Sequence, residues 1–142
     1  MKLRIIVLDM DESTRHLISI IAQKKGHEVI ALSEPVVCPL YSDLECCCSQ
    51  DHACGDLMII ENRMAKMSGL SLIKKQLEGG CKGASQNKLV ISSSVRKDEE
   101  VCFAKELGCK ILMKPFRVSE ISKWIDECEK KIDPMRKLAD LP

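Results

Sequence analysis

Three carboxylates, one hydroxyl and one ammonium stand where apolar runs of this chain give way to polar residues. Asp9 and Asp11 follow the run at 3–8, and Glu61 follows the run at 56–60. Ser93 follows Leu89-Val90-Ile91 by one serine, and Lys114 follows Ile111-Leu112-Met113 and opens a Lys-Pro-Phe triplet. Carboxylates hold hard divalent cations, whereas an ammonium and a hydroxyl neutralise or bond the oxygens of a phosphoryl group. These five residues lie far apart in the chain. They meet only if the apolar runs are neighbouring parallel strands whose carboxyl ends share one edge of a sheet.

The intervening residues supply helices of the right length. Leu17, Ile18, Ile20 and Ile21 share one helical face. Asp11 or Ser13 is placed to cap that helix, and Lys24-Lys25-Gly26 to end it. A second strand covers 28–32. Leu70, Leu72, Ile73 and Leu77 read as a helix closed by Gly79-Gly80, and Val101, Phe103, Ala104 and Leu107 as one closed by Gly108. The last helix starts near Ser119 with the stripe Ile121, Trp124, Ile125, Cys128 and Ile132, and Pro134 is expected to end or kink it. Residues 33–55 break this rhythm. Pro35 and Pro39 interrupt them, and a short helix around 40–48 is the only regular element expected there.

Strands alternating with helices imply an α/β fold: a doubly wound, flavodoxin-like parallel sheet of five strands in the order 2-1-3-4-5. A chain of 142 residues makes one domain, here 1–132, with an irregular Cys-rich insertion at about 33–55 and a short tail at 133–142. Aromatics are only 3%, so the core must be aliphatic with Met and Cys as fillers. The net charge of +1 supplies no basic field for nucleic acid or an anionic membrane. No apolar run is long enough to span a bilayer and no signal peptide precedes the first strand, so a cytoplasmic location is expected. An enzyme is not expected, since no nucleophile–base pairing and no phosphate-cradling glycine loop is visible.

The stretches IIVLDMDESTR, DLMIIENRMAKMSGLSLIKK, VISSS and FAKELGCKILMKPF, with the last helix, resemble the receiver domain of two-component response regulators over roughly residues 3–130. The resemblance implies a signalling module that takes phosphate from a sensor histidine kinase and engages protein partners. It also implies Mg²⁺ at Asp9, a Ser93 hydroxyl on the phosphate and a Lys114 ammonium beside it. Four positions depart from the family pattern. Met10 replaces the second acid, Glu61 the phosphoacceptor Asp, Ile111 the aromatic three residues before the lysine, and Ala65 a proline. Glu61 reaches one methylene farther than Asp, to where a phosphoryl group would lie. A direct Glu61–Lys114 pair is therefore expected, giving an atypical, stand-alone receiver that does not turn over aspartyl phosphate. In this family the fourth helix, fifth strand and fifth helix often form the partner or dimer surface, which points to Phe103, Ile111 and Trp124; monomers and homodimers both occur.

Nine cysteines are many for a reducing compartment. In a parallel sheet, segments entering strands lie opposite the acidic edge, so most cysteines gather there, with Cys38 expected nearer the acids. Two readings stand side by side. Free cysteines are often small buried hydrophobes. Alternatively, Cys46, Cys48, Cys54 and Cys81 are the first candidates for a zinc or redox site, with His52 near them in sequence, and the chain would then be a metal- or redox-responsive sensor.

Overall fold

The computed structural model describes residues 1–35, 38–42, 47–93 and 97–140. The chain alternates β1 (Arg4–Leu8), α1 (Glu12–Lys24), β2 (Glu28–Leu32), β3 (Leu57–Glu61), α2 (Gly69–Glu78), β4 (Lys88–Ser92), α3 (Lys97–Leu107), β5 (Lys110–Met113) and α4 (Val118–Glu129). A 3-10 turn at Ser85–Asn87 leads into β4. All strand pairs are parallel, and the order is β2-β1-β3-β4-β5, as the alternation of runs predicts.

Period-two alternation divides the core between the two faces of the sheet. Ile5, Val7, Leu57 and Ile59 pack with Ile18, Ile21 and Ala22 of α1 and with Ile121, Trp124 and Ile125 of α4. Leu8, Met58, Ile60 and Val90 point the other way, onto Leu70 and Ile73 of α2 and Ala104 and Leu107 of α3. β3 and β4 are buried along their whole length, which is why their sequences read as unbroken apolar runs.

Helix limits follow local chemistry. Asp11 caps α1 through Thr14 N, and Ser68 caps α2 through Ser71 N. Gly26 and Gly108 take φ of 87° and 82°, a conformation that costs an L side chain energy, just past α1 and α3.

One expectation needs correction, and another, the short helix around 40–48, falls in part on residues 43–46, outside the described residues. Between β2 and β3 the described residues form no helix. Residues 39–42 are turns, with Tyr41 N and Ser42 N both bonded to the Cys38 carbonyl, and Cys48 N is tied to Gly79 O at 2.8 Å. The last helix stops at Glu129 with Lys130 as its C-cap, so Ile132 and Pro134 lie beyond it. Pro134 therefore does not terminate α4. Residues 133–140 fold back on the domain: Arg136 pairs with Asp56, and Ala139 N bonds Ala53 O at 2.8 Å. Among the described residues no helix is long and apolar enough to cross a membrane.

Candidate functional site

The carboxyl ends of β1, β3 and β5 converge as the sequence expects. Glu61, the last residue of β3, is 7% exposed. Its Oε2 lies 2.8 Å from Lys114 Nζ, just beyond β5. Its Oε1 accepts a longer bond of 3.3 Å from Arg63 N. Burial works against the Lys114 ammonium, but the paired Glu61 carboxylate, with the charges of Asp9 and Asp11, outweighs it and holds the amine above its ordinary pKa.

Asp9 follows β1 and is 2% exposed. One oxygen accepts from Asp11 N at 2.8 Å, while Oδ2 has no hydrogen-bond partner among the described residues. Burial raises its pKa, and the charges of Glu61 and Asp11 add to the rise against the pull of Asp11 N and Lys114. Asp11 itself faces solvent as the cap of α1. Its hydrogen bonds from Thr14, side chain first and then backbone, lower its pKa. Its negative charge still reaches Lys114.

Ser93 is exposed, one residue past β4. The last residue of that strand, Ser92, is buried instead, and its hydroxyl donates to Glu100 of α3. Asn62 Nδ2 donates to the same Glu100 oxygen at 3.2 Å, and Asn62 Oδ1 accepts from Leu70 N at 3.0 Å. Asn62 and Glu100 thus join the ends of β3 and β4 to α2 and α3. Sequence reading missed both, because neither ends a strand as an isolated charge; the polar triplet Glu61-Asn62-Arg63 was the available signal.

The Mg²⁺ implied by the receiver resemblance can be tested against these donors. Mg²⁺ wants one or two carboxylates free to face it. Asp9 supplies one orphaned oxygen. Asp11 is engaged at the helix cap, Met10 carries only a thioether on a half-exposed side chain, and Glu61 is paired with a cation. Among the described residues no three His, Cys, Asp or Glu side chains are placed to share a metal ion. The donor set does not fit a Mg²⁺ centre.

On the expected partner surface, Phe103 and Ile111 are half-buried against the α2/α3 side of the core. Trp124 of α4 is a core residue, 8% exposed. Of the cysteine candidates, Cys46 lies outside the described residues. Cys48, Cys54 and Cys81 line one cavity together with Cys38, which sits with them rather than at the acidic edge.

No family model matches the chain, and no curated protein matches it. Solved structures do. A Francisella response regulator receiver domain aligns at 16% identity and TM-score 0.71, covering 92% of this chain and 98% of that one. A response regulator receiver protein from Pseudomonas putida aligns at 21% identity and TM-score 0.69, covering 89% and 98%. The signal receiver domain of the response regulator NarL from Mycobacterium tuberculosis aligns at 20% identity and TM-score 0.69, covering 91% and 97%. At such identities the likeness establishes the fold.

Proposed function

We infer that this chain, which has the receiver fold of response regulators, is a two-component signalling module whose phosphoacceptor position is held in one state by Glu61. The observation that carries the reading is the contact between Glu61 and Lys114, 2.8 Å long on a glutamate only 7% exposed. A phosphorylated aspartate would extend negative charge toward the lysine. Glu61 delivers a carboxylate there permanently, because its side chain is one methylene longer. Met10 and the engaged Asp11 support the same reading, since phosphoryl transfer relies on a divalent cation to neutralise the moving charge. Ile111 has no polar tip to swing toward a modified site.

The module then acts by binding rather than by catalysis. Its partner is a protein, either a sensor histidine kinase or a downstream target, and the α3–β5–α4 side with Phe103 and Ile111 is its contact surface. The decisive experiment is incubation of the full chain with a small acyl phosphate donor and Mg²⁺, followed at once by intact-mass measurement. The mass is expected to stay that of the unmodified chain. A phosphoryl adduct mapped to Glu61, Asp9 or Asp11 would overturn the reading.

A further inference from the structure

The two faces of the sheet are covered unequally. On one face α1 and α4 pack on the strands, and on the other α2 and α3 do. At the β2–β1 end of that second face the crossover between β2 and β3 supplies turns, and its described residues form no helix. A largely apolar cavity of about 280 Å³ remains there. Strand register defines its floor. Ile30, Ile6, Met58 and Lys88 are successive Cα partners across β2, β1, β3 and β4, so they form one row on one face, spanning about 14 Å at the usual strand spacing. All four line the cavity. Three are apolar, and the fourth ends the row in an amine. Ile6, Ile30 and Leu32 stay only half-buried, whereas β3 and β4 are buried throughout.

The Lys88 end of the row is chemically incomplete. Lys88 is 4% exposed, yet among the described residues no carboxylate pairs with it. Its Nζ donates to Gln76 Oε1 at 2.7 Å and lies 3.7 Å from Cys81 Sγ, a weak acceptor. An ammonium carries three hydrogens, so one of them has no acceptor among the described residues. Gln76, 6% exposed, offers a second donor, since its Nε2 reaches only Cys38 Sγ, at 3.9 Å. Asp56 also lines the cavity, but its oxygens are taken by Arg136 and by Arg4 N. A buried ammonium without a counter-charge is costly. A ligand that brings a carboxylate to Lys88 and apolar atoms to the rest of the row removes that cost and covers the floor in the same step.

We propose that this cavity binds a small apolar carboxylate, its head on Lys88 and Gln76 and its aliphatic body along Met58, Ile6 and Ile30. The volume sets the size. At about 30 Å³ for each water-sized group, it holds about nine non-hydrogen atoms, the size of a medium-chain fatty acid and too small for a two-chain lipid. The cysteines on its wall add small apolar surface. Floor and head-group end belong to β1–β4 and α2, so the site is built from regular elements. Lys88 is the first residue of β4, at the end of the sheet opposite Glu61 and Lys114, and the inference does not rest on the signalling role.

The full reduced chain is titrated by calorimetry with octanoate, octan-1-ol and octylammonium, and methyl NMR of Ile, Leu and Met locates the ligand. One octanoate per chain is expected, with a dissociation constant below about 1 mM. Its shifts should centre on Ile6, Ile30, Leu32 and Met58. Octan-1-ol should bind at least about 10-fold more weakly, because a hydrogen bond between charged groups is the stronger one, and octylammonium should not bind. Lys88→Met should weaken octanoate by about 10-fold and leave octan-1-ol unchanged. No saturable octanoate binding by the native chain overturns the site, whatever the folding of the variant. Methyl shifts centred away from that row, which would mark adsorption elsewhere, overturn it as well. Octan-1-ol or octylammonium binding as tightly as octanoate overturns the anionic class of ligand.

Discussion

Asp56 and Glu61 stand at opposite ends of the same strand, and their environments are opposite too. Asp56 precedes β3 and is satisfied on both oxygens. Arg136 donates Nε to Oδ1 at 2.8 Å and Nη2 to Oδ2 at 2.7 Å, and Arg4 N donates to Oδ2 at 2.8 Å. Burial opposes ionisation of Asp56, yet the Arg136 hydrogen bond and the other donors bring its pKa below the ordinary value. Among the described residues Glu61 has a single close cation, a Lys, and a neighbour, Asp9, with an unmet oxygen. A guanidinium fork locks a carboxylate in one geometry, whereas an ammonium is a point charge on a flexible stem. The amino end of the strand is therefore built to hold the C-terminal segment to the domain. The carboxyl end instead leaves a buried carboxylate oxygen of Asp9 unpartnered among the described residues.

The sharpest way to break this contrast is Arg136→Ala. It leaves the Asp56 side chain, 2% exposed, without its main partner. Urea unfolding should show a loss of about 3 kcal/mol. A loss near that of an exposed pair would mean that the amino end is no more built than the acidic one.

At the other end, Lys114→Met should cost about 1.5 kcal/mol, because Glu61 then faces Asp9 without a cation. Glu61→Gln in the same chain should recover most of that loss, since it removes the stranded charge. Additive losses in the double-mutant cycle would show that the pair is not energetically coupled.

The smallest effects are in pH. The depressed Asp56 contributes stability that is present above its ordinary value of 3.8 and is lost as pH falls through its folded pKa. That acid limb should flatten in Arg136→Ala. His27 gives a second, weaker limb. It is buried with Nδ1 accepting from Leu3 N at 3.1 Å, so burial first, with Met1 N and Lys25 in support, lowers its pKa against the pull of Glu129 and Asp126. The unfolded chain then binds the extra proton, and stability falls as pH drops below about 6.5. In His27→Gln the melting temperature should lose this slope between neutral pH and pH 5.5; an unchanged slope would assign it elsewhere.

Much of the acidic pocket was legible because its members sit where apolar runs stop. Asp9, Glu61 and Lys114 could be placed on one edge from the alternation of strands and helices alone. The adjacent serines were harder. Ser92 and Ser93 are the same residue type side by side, and one step along a strand reverses the direction of a side chain. Arg136 was not legible as a partner of Asp56. It belongs to a segment with no periodic pattern, and a contact between residues 80 positions apart leaves no local signal. The cysteines show the same divide. Cys48, Cys54 and Cys81 were grouped by the rule that segments entering strands share an end, but Cys38 follows a strand, and only the tertiary fold places it at the same cavity.

Local patterning by itself determined the strands, the cap of the first helix and the chemical types available at each strand end, because hydrophobic period and capping act between near neighbours in the chain. Tertiary structure decided which charges meet, which are satisfied and where the irregular crossover lies. Those outcomes depend on long-range packing and on the exclusion of water, and neither is encoded in any short stretch of residues.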